Sequence, residues 1–410
     1  MKKIFVILAM VILVSALIFS GCTQPASAPT PSPAPAPSPA PEPAAKTIKI
    51  GVIFGLTGPG SQMQIMLRDA SLLCADWING KGGVNIKGEK YLLECFVEDN
   101  KSSMAGSVDA ATKLVYEDKV NFIIGTVVPD QTDGVASVTE KNKIINIAAK
   151  TVAMHPDRPY SFSGVYSQIA PLRPLYTILQ EKYPSVKSVG YIFEDAPGAI
   201  KTSEASQGIA KSMGFTVVEP QIHPWENPEY YPQWTKILNL KPDAVDTGLK
   251  MPDSQANCVK QGRELGFKGP MFSPVPGDPN LIIKMIGNKE YATDYIYSSF
   301  SVHGPEATPI VQEMLKMWKS PTSQLDADGT QPWDAIWCLV QAIEKAQSID
   351  SDAVKNAWES MDTFETALGT GKLGGEKTFG IKHMVFGPLP LTRLNKGEIE
   401  FIKYTDSWMP

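Results

Sequence analysis

Residues 47–100 read TIKIGVIFGLTGPGSQMQIMLRDASLLCADWINGKGGVNIKGEKYLLECFVEDN, and their pattern decides the fold predicted for this chain. The strand 48–54 is apolar on both faces toward its end, as expected where helices cover a sheet on both sides. The glycine-rich loop 55–61 follows, and then a helix, a glycine turn and a second strand. The loop therefore lies at the carboxyl end of a buried strand, where open α/β sheets bind ligands.

Strands and helices continue to alternate along the chain, which predicts an α/β fold with two lobes. In the first lobe, strands are predicted at 91–97, 122–125 and 144–148, with helices at 103–117 and 133–141. The pattern restarts with strands at 188–193, 216–218, 244–248 and 271–273, separated by helices at 200–213, 231–240 and 254–265. Each lobe is expected to be a doubly wound parallel sheet. Near the end, residues 395–397 (NKG) predict a β-hairpin.

The N-terminus has the pattern of a targeting segment. Lys2 and Lys3 precede an uncharged run, 4–19, that is short for a bilayer span. Residues 18–22 (IFSGC) resemble the lipobox of bacterial lipoproteins, which implies that residues 1–21 are a signal peptide cleaved before Cys22, the lipid anchor. An ordinary cleaved signal peptide is the alternative. From Cys22 to residue 46 the chain is almost only Pro, Ala, Ser and Thr, which predicts an extended linker.

Composition and cysteine spacing exclude some classes of function. A formal net charge of −5 over 410 residues argues against a nucleic-acid partner, for which a basic face is expected. Apart from Cys22, the cysteines lack the spacing of metal ligands and are predicted to be mostly buried free thiols: Cys74, Cys95, Cys258 and Cys338. A disulfide between Cys74 and Cys95 is the alternative.

Motifs for catalysis and for phosphate binding are absent from the sequence. The 4 histidines form neither HxxxH nor HExxH, and neither GxSxG nor GxxxxGK[ST] occurs. Gly58-Pro59-Gly60 begins a GxGxxG match, but Met63 replaces the third glycine and Pro59 lacks the amide that would face a phosphate. We therefore expect neither an enzyme nor a nucleotide-binding protein, and we expect no cofactor and no metal ion.

Several motifs in order resemble the branched-chain amino-acid (Leu/Ile/Val-type) binding proteins of ABC transporters. They are 57–59 (TGP), 75–84 (ADWINGKGGV), 119–125 (KVNFIIG), 262–267 (GRELGF) and 332–335 (PWDA). The resemblance covers residues 47–403 and implies the type I periplasmic-binding-protein fold, in which a ligand is clamped between two lobes by hinge closure. It implies a first lobe of 47–164 and 296–377, a second of 165–295 and 378–403, and a tail of 404–410.

The resemblance also implies which residues contact a ligand. In that family a serine and a threonine after the third and fourth strands hold the ligand's carboxylate, and an acid in the second lobe meets its ammonium. Here the serine position is Pro129, followed by Asp130, and the threonine position is Lys150, between Ala149 and Thr151. A first-loop tyrosine becomes Met63, and a second-lobe tyrosine becomes Lys250. The acid falls near Val275, where the nearest carboxylate is Asp278.

These departures suggest a ligand with a carboxylate and without an amine, because a buried ammonium without an acid partner is costly. We hypothesise that Lys150 and Lys250 face each other across the cleft and neutralise that carboxylate. Other predicted contacts are Thr57, Met63, Pro129, Asp130, Ala148, Ala149, Thr151, Asp195 and Trp333. The alternatives are solvated lysines, helix caps for the aspartates, and a core or rim position for Trp333.

The predicted function is therefore that of an extracytoplasmic, lipid-anchored solute-binding protein of an ABC importer. Its expected partners are a small organic acid or amino acid, a permease with its ATPase, and the membrane through the lipid anchor only. It is expected to act as a monomer. Import of branched-chain or other amino acids is one alternative, and a ligand sensor for a signalling partner is another.

Overall fold

The first strand, β1 (Lys46–Phe54), has apolar cores on both of its faces. Val52 and Phe54 lie in the core on one face, and Ile53 lies in the core on the other. This arrangement confirms the prediction of a strand covered by helices on both sides. The computed structural model describes residues 46–58, 60–149, 154–164, 169–224, 227–250, 252–275 and 277–407.

The secondary structure follows the chain in three runs. The first run is β1, α1 (Ser61–Gly80), β2 (Val84–Ile86), β3 (Glu89–Asp99), α2 (Met104–Lys113), β4 (Phe122–Gly125), α3 (Pro129–Thr139), β5 (Asn146–Ala148) and β6 (Ser161–Ser163). The second is α4 (Leu172–Lys182), β7 (Ser188–Glu194), α5 (Pro197–Ser212), β8 (Thr216–Val217), β9 (Gln221–His223), α6 (Tyr231–Asn239), β10 (Ala244–Asp246), α7 (Pro252–Glu264), β11 (Met271–Ser273), α8 (Pro279–Ile286) and β12 (Tyr295–Tyr297). The third is α9 (Pro309–Met317), α10 (Thr330–Ala346), α11 (Ser351–Glu359), β13 (Phe364–Thr366), β14 (Gly369–Gly374), α12 (Glu376–Phe379), β15 (Met384–Phe386), β16 (Pro388–Asn395) and β17 (Glu398–Asp406).

The strands form two sheets, one in each lobe. The first sheet has the order β13-β14-β15-β6-β5-β4-β1-β3-β2. The second has the order β17-β16-β12-β11-β10-β7-β8, with β9 beside the end of β7. Strands in the middle of each sheet are parallel. Antiparallel strands complete both edges of the first sheet and the β16–β17 edge of the second, whereas β8 at the other edge is parallel to β7. The predicted α/β class with parallel sheets is confirmed.

The chain passes between the sheets after β6, after β12 and after β15. At each of these points it leaves from the carboxyl end of a strand that is parallel to its neighbour. The last crossing is the shortest, because Gly387 alone separates β15 from β16. The carboxyl ends of the parallel strands in both sheets are therefore brought to the junction between the lobes.

The structure places the lobe limits differently from the sequence at two points. β15 pairs with β6 of the first sheet, so the chain returns to the second sheet after Phe386 and not at residue 378. β12 continues to Tyr297 in the second sheet, past the predicted limit at 295. The resemblance implied these limits, whereas the pairing of β12 with β11 and of β15 with β6 decides which sheet each short strand joins. The hairpin predicted at residues 395–397 is present between β16 and β17.

β17 links the two lobes, although it belongs to the second sheet. Phe401 and Tyr404 pack against the hydrophobic core of the first lobe. The Tyr404 hydroxyl also donates a hydrogen bond of 2.9 Å to the backbone oxygen of Glu306, in the segment that leads from β12 back to the first lobe. One edge of the second lobe is thus fixed to the first lobe.

Gly262 on α7 provides a test of core packing in the second lobe. A Cβ at this position would lie 2.5 Å from the ring of Trp234, and that ring is held by a 2.8 Å hydrogen bond to the Cys258 oxygen. We expect Gly262→Ala to lower the free energy of unfolding by about 1–3 kcal/mol, as overpacking does.

Gly208→Ala on α5 is the matched control, because a Cβ there would meet no atom within 4 Å. Better helix propensity should make this variant more stable by about 0.5–1 kcal/mol. Urea unfolding of both variants measures the difference. Equal stability of the two variants would contradict the close contact with Trp234.

Candidate functional site

The first loop is held in place by side chains from neighbouring elements at the carboxyl edge of the first sheet. The Gly55 amide donates to Gln64 Oε1 at 2.7 Å, and the Leu56 amide donates to Asp99 Oδ1 at 2.8 Å. The Thr57 hydroxyl donates to Asp99 Oδ2 at 2.6 Å. Burial acts to raise the pKa of the Asp99 carboxyl, but the hydrogen bonds from Thr57, Leu56 and the Lys101 amide together lower it. The loop is therefore a preformed wall, and Asp99 positions Thr57.

A buried polar network lies behind this wall, and sequence analysis did not single out its members. The Asn100 side-chain amide donates to Ser107 Oγ at 3.0 Å and to Gln131 Oε1 at 3.2 Å. The Thr126 hydroxyl is 2.6 Å from that of Thr132, and Thr126 has a φ of 61°. The sequence offered one signal for these residues: Thr126 directly follows a predicted strand, and Asn100 comes shortly after another.

The predicted contacts of the first lobe divide by their exposure. Asp130 is exposed in the first turn of α3, one residue after Pro129, where a carboxylate interacts favourably with the helix dipole. Met63 is half-buried in the first turn of α1. Ala148 and Ala149 are buried, and the Ala149 amide donates to the Thr126 oxygen at 3.1 Å. The alanine side chains line the core here, so any ligand contact would be made through backbone atoms.

Lys150 and Thr151 lie outside the described residues, as do Cys22 and the linker that follows it. The hypothesis of a lysine clamp is therefore tested on its second member alone. That member, Lys250, follows β10 at the carboxyl edge of the second sheet, as predicted for a residue of the cleft.

The ammonium of Lys250 is directed into the second lobe, which differs from the predicted extension across the cleft. The side chain is 2% exposed, and Nζ donates to the Ile192 oxygen at 3.2 Å. Nζ also lies 4.9 Å from the centroid of the Tyr230 ring. Burial lowers the pKa of Lys250, while the Cys258, Glu194 and Asp246 groups act in the opposite direction. Partners within the lobe, rather than a ligand, satisfy this ammonium.

Two buried carboxylates accompany Lys250 at this edge. Glu194 ends β7, and its Oε1 accepts a 3.0 Å hydrogen bond from the Tyr230 hydroxyl. Asp246 ends β10 and accepts hydrogen bonds from Ser206 Oγ at 2.5 Å and from the Gly248 amide at 2.8 Å. Burial raises the pKa of Glu194, and it raises that of Asp246 to about 6. Asp195, the predicted contact, is the exposed neighbour of Glu194.

Trp333 lies in the core of the first lobe. It is fully buried, and its ring centroid is 5.2 Å from that of Trp77 on α1. This agrees with the core position that was the alternative to a cleft wall.

Asp334, the neighbour of Trp333 in the chain, is 1% exposed, and its Oδ1 accepts a hydrogen bond from the Ala367 amide at 2.5 Å. Burial raises the pKa of Asp334 well above its usual range.

All four cysteines in the described part of the chain carry free thiols: Cys74, Cys95, Cys258 and Cys338. Cys95 is half-buried and the others are buried, which agrees with the thiol prediction and not with a Cys74–Cys95 disulfide. Within the same residues, no group of three His, Cys, Asp or Glu side chains is placed to hold a metal ion.

A cavity of about 620 Å³ opens beside α3, away from the strand ends. Its lining comes from α3 and the turn that follows it, and from the segment between β5 and β6: Asp133, Ala136, Ser137, Glu140, Lys141, Met154, His155, Asp157 and Arg158. An ion pair between Arg158 and Asp133 crosses its wall. The cavity contains none of the predicted ligand contacts.

Two parallel-sheet lobes with their carboxyl edges at a common junction define the class of two-lobed type I periplasmic binding proteins. Comparison with known proteins agrees. Residues 47–398 match the family described as periplasmic binding protein. The leucine-, isoleucine-, valine-, threonine-, and alanine-binding protein of Pseudomonas aeruginosa is 33% identical over 356 residues, 84% of this chain and 89% of that protein. The chain belongs to the periplasmic binding protein family.

Solved structures share the fold at low identity. The branched-chain amino acid transporter substrate binding protein of Streptococcus pneumoniae, in complex with isoleucine, has a TM-score of 0.70 and 18% identity, covering 88% of this chain and 100% of that one. A solute binding protein of an ABC transporter from R. palustris, in complex with 4-hydroxybenzoate, has a TM-score of 0.71 and 18% identity, covering 88% and 97%. These structures show the shared fold, and membership of the periplasmic binding protein family implies that this chain is an extracytoplasmic binding protein. The helices in the described residues all lack either the length or the apolar character that crossing a bilayer requires.

Asp99 should be required for the shape of the first loop. Asp99→Ala removes the acceptor of the Leu56 amide and of the Thr57 hydroxyl. We expect the free energy of unfolding to fall by about 1.5–3 kcal/mol, the scale of hydrogen bonds to a charged group. Asp109→Ala, an exposed carboxylate on α2, is the control and should change it by less than about 0.5 kcal/mol. Denaturant unfolding at pH 7 compares them, and equal losses would show that Asp99 does not hold the loop.

Asp334 should make stability depend on pH. Because its folded-state pKa is raised, its carboxyl stabilises the fold fully only below the unfolded-state pKa, and that contribution is lost as the pH rises. Asp334→Asn keeps an oxygen acceptor for Ala367 and cannot ionise. The variant should gain stability relative to the wild type by up to about 1.4 kcal/mol per pH unit above the unfolded-state pKa. Unfolding at pH 5, 6 and 7 measures this difference, and a constant difference would refute a raised pKa for Asp334.

Proposed function

We propose that this chain is the lipid-anchored substrate-binding protein of an ABC importer and clamps a carboxylate-bearing small organic ligand between its lobes. One observation carries the proposal: the carboxyl edges of the two sheets meet where the chain crosses between the lobes. The last crossing consists of Gly387 alone. A ligand held there would touch both lobes, and its binding would be coupled to their closure. The proposal contains no catalytic step and no cofactor.

The first lobe supplies the groups that suit a carboxylate. Thr57 in the first loop, Met63 in the first turn of α1, and Pro129 and Asp130 at the start of α3 all follow strand ends. Ala148 ends β5, and Ala149 follows it. In the proposal, Lys150 and helix-start amides hold the ligand's carboxylate, because positive charge and free amide groups favour an anion. The ligand-binding role proposed for Ala149, Lys150 and Thr151 is supported by their position in the sequence, directly after Ala148.

The second lobe supports a ligand without an amine. An ammonium needs a carboxylate that is not already used, since a buried unpaired charge is destabilising. Glu194 and Asp246 are hydrogen-bonded within the lobe and lie beside the resident ammonium of Lys250. Asp195 is exposed, so it remains in water when the lobes are apart. The similar fold that holds 4-hydroxybenzoate, an aromatic carboxylate without an amine, supports the same choice.

Binding of an amino acid is the second candidate function. The 33% identical relative from Pseudomonas aeruginosa, whose name records binding of leucine, isoleucine, valine, threonine and alanine, favours it. In this case Asp195 would be the carboxylate that meets the ammonium as the lobes close.

Matched ligands separate the two candidates by calorimetry on the purified protein. Leucine is compared with 4-methylpentanoate, which lacks only the amine, and phenylalanine with 3-phenylpropanoate. We also include 4-hydroxybenzoate, and 3-methylbutylamine as the compound without a carboxylate. We expect at least one carboxylate to bind at least tenfold, or about 1.4 kcal/mol, more tightly than its amino-acid partner, and the amine alone not to bind.

The opposite ranking is equally informative. Leucine or phenylalanine binding at least tenfold more tightly than the matched carboxylate would refute a ligand without an amine and establish the amino-acid function. Heat from 3-methylbutylamine alone would refute a carboxylate as the recognised group.

A further inference from the structure

Three different groups surround the ammonium of Lys250 inside the second lobe. The backbone oxygen of Ile192, in β7, accepts its hydrogen bond at 3.2 Å. The aromatic face of Tyr230 lies 4.9 Å away. Glu194, the last residue of β7, is 3% exposed, and its carboxyl interacts electrostatically with Lys250. A carbonyl oxygen, an aromatic face and a carboxylate are the groups with which proteins bind an ammonium ion.

These groups are fixed in position independently of Lys250. The Tyr230 hydroxyl donates to Glu194 Oε1 at 3.0 Å, and the ring stacks on His223 with centroids 3.9 Å apart. Glu194 and Ile192 belong to β7, which pairs with β9 through this region. The surroundings of the ammonium are thus a built pocket and not the result of a flexible lysine folding onto the surface.

The pocket also has a definite place in the fold. Lys250 enters it from the loop after β10, and Glu194 closes it at the end of β7. β7 and β10 are neighbouring parallel strands, so both ends lie at the edge where this lobe meets a ligand.

We propose that Lys250 fills an ammonium-binding pocket at the ligand edge of the second lobe, so that the protein selects carboxylates without an amine. The inference rests on the proposed function, because it assigns a cause to the ligand class of that same site. A ligand ammonium at this edge would meet the charge of Lys250 and would find the carboxylate of Glu194 already occupied.

The pocket can be tested by removing the Lys250 side chain and adding a small amine that replaces the removed atoms. Lys250→Ala removes three methylene groups and the ammonium, which n-propylammonium reproduces. We expect the variant to be less stable than the wild type, and n-propylammonium chloride at tens of millimolar to raise its Tm by at least about 1 °C. The neutral analogue 1-propanol and potassium chloride at the same concentration should not.

Lys201→Ala, which removes an exposed lysine of α5 in the same lobe, is the matched control. Neither this variant nor the wild type should respond to n-propylammonium beyond the effect of potassium chloride. If Lys250→Ala does not stay folded, the yield of refolding from urea with n-propylammonium, compared with 1-propanol, becomes the readout. No stabilisation and no gain in refolding would overturn the pocket.

Ligand selectivity tests the second half of the inference. In folded Lys250→Ala, the affinity ratio of leucine to 4-methylpentanoate, or of phenylalanine to 3-phenylpropanoate, should rise at least tenfold over the wild type. Rescue by n-propylammonium with unchanged ratios would overturn the role in selectivity. Failure of every carboxylate to bind the wild type, with the rescue intact, would instead overturn the proposed function and leave the ammonium pocket standing.

Discussion

The shortness of the last crossing is the constraint on which the arrangement of the molecule depends. Gly387 alone stands between β15 of the first sheet and β16 of the second. The end of β17 closes onto the same point, because the Ser407 amide donates to the Gly387 oxygen at 3.3 Å and Ser407 Oγ accepts the Gly387 amide at 3.2 Å. Two sheets joined so closely must present their nearest strand ends to each other, and the ligand edge of each lobe follows from this geometry.

Several side chains that shape each edge are hydrogen-bonded before any ligand binds. Asp99 holds the first loop, Asn100 is bonded to Gln131, and Glu194 is bonded to Tyr230, each within its own lobe. Buried polar groups that already have partners do not need a ligand to satisfy them. Closure can therefore be a rigid-body movement, and the ligand contributes the contacts that join the lobes.

The sequence predicted those parts of the fold that have a strong apolar period. The buried face of α1 and the two-sided core of β1 agree with the prediction because each spans several residues with one pattern. The limit that the resemblance implied at residue 378 differs from the structure, because β15 is only three residues long and pairs with β6, which is distant in the chain. Sequence position placed Lys250 at the correct edge, but it could not reveal that the side chain turns back toward Ile192. That direction depends on Tyr230 and Glu194, which come from other elements.

The contact of β17 with the first lobe has a consequence for the path of the ligand. Phe401 and Tyr404 pack against the first lobe's core while their strand is part of the second sheet. Because the lobes are in contact along this border, opening of the cleft should be a rotation of one lobe about it. The far strands, β2 and β3 in one sheet and β8 in the other, then travel the greatest distance. The mouth of the cleft should open there, which makes the loops after β3 and β7, with Asp99 and Asp195, the first part of the protein that an arriving solute meets.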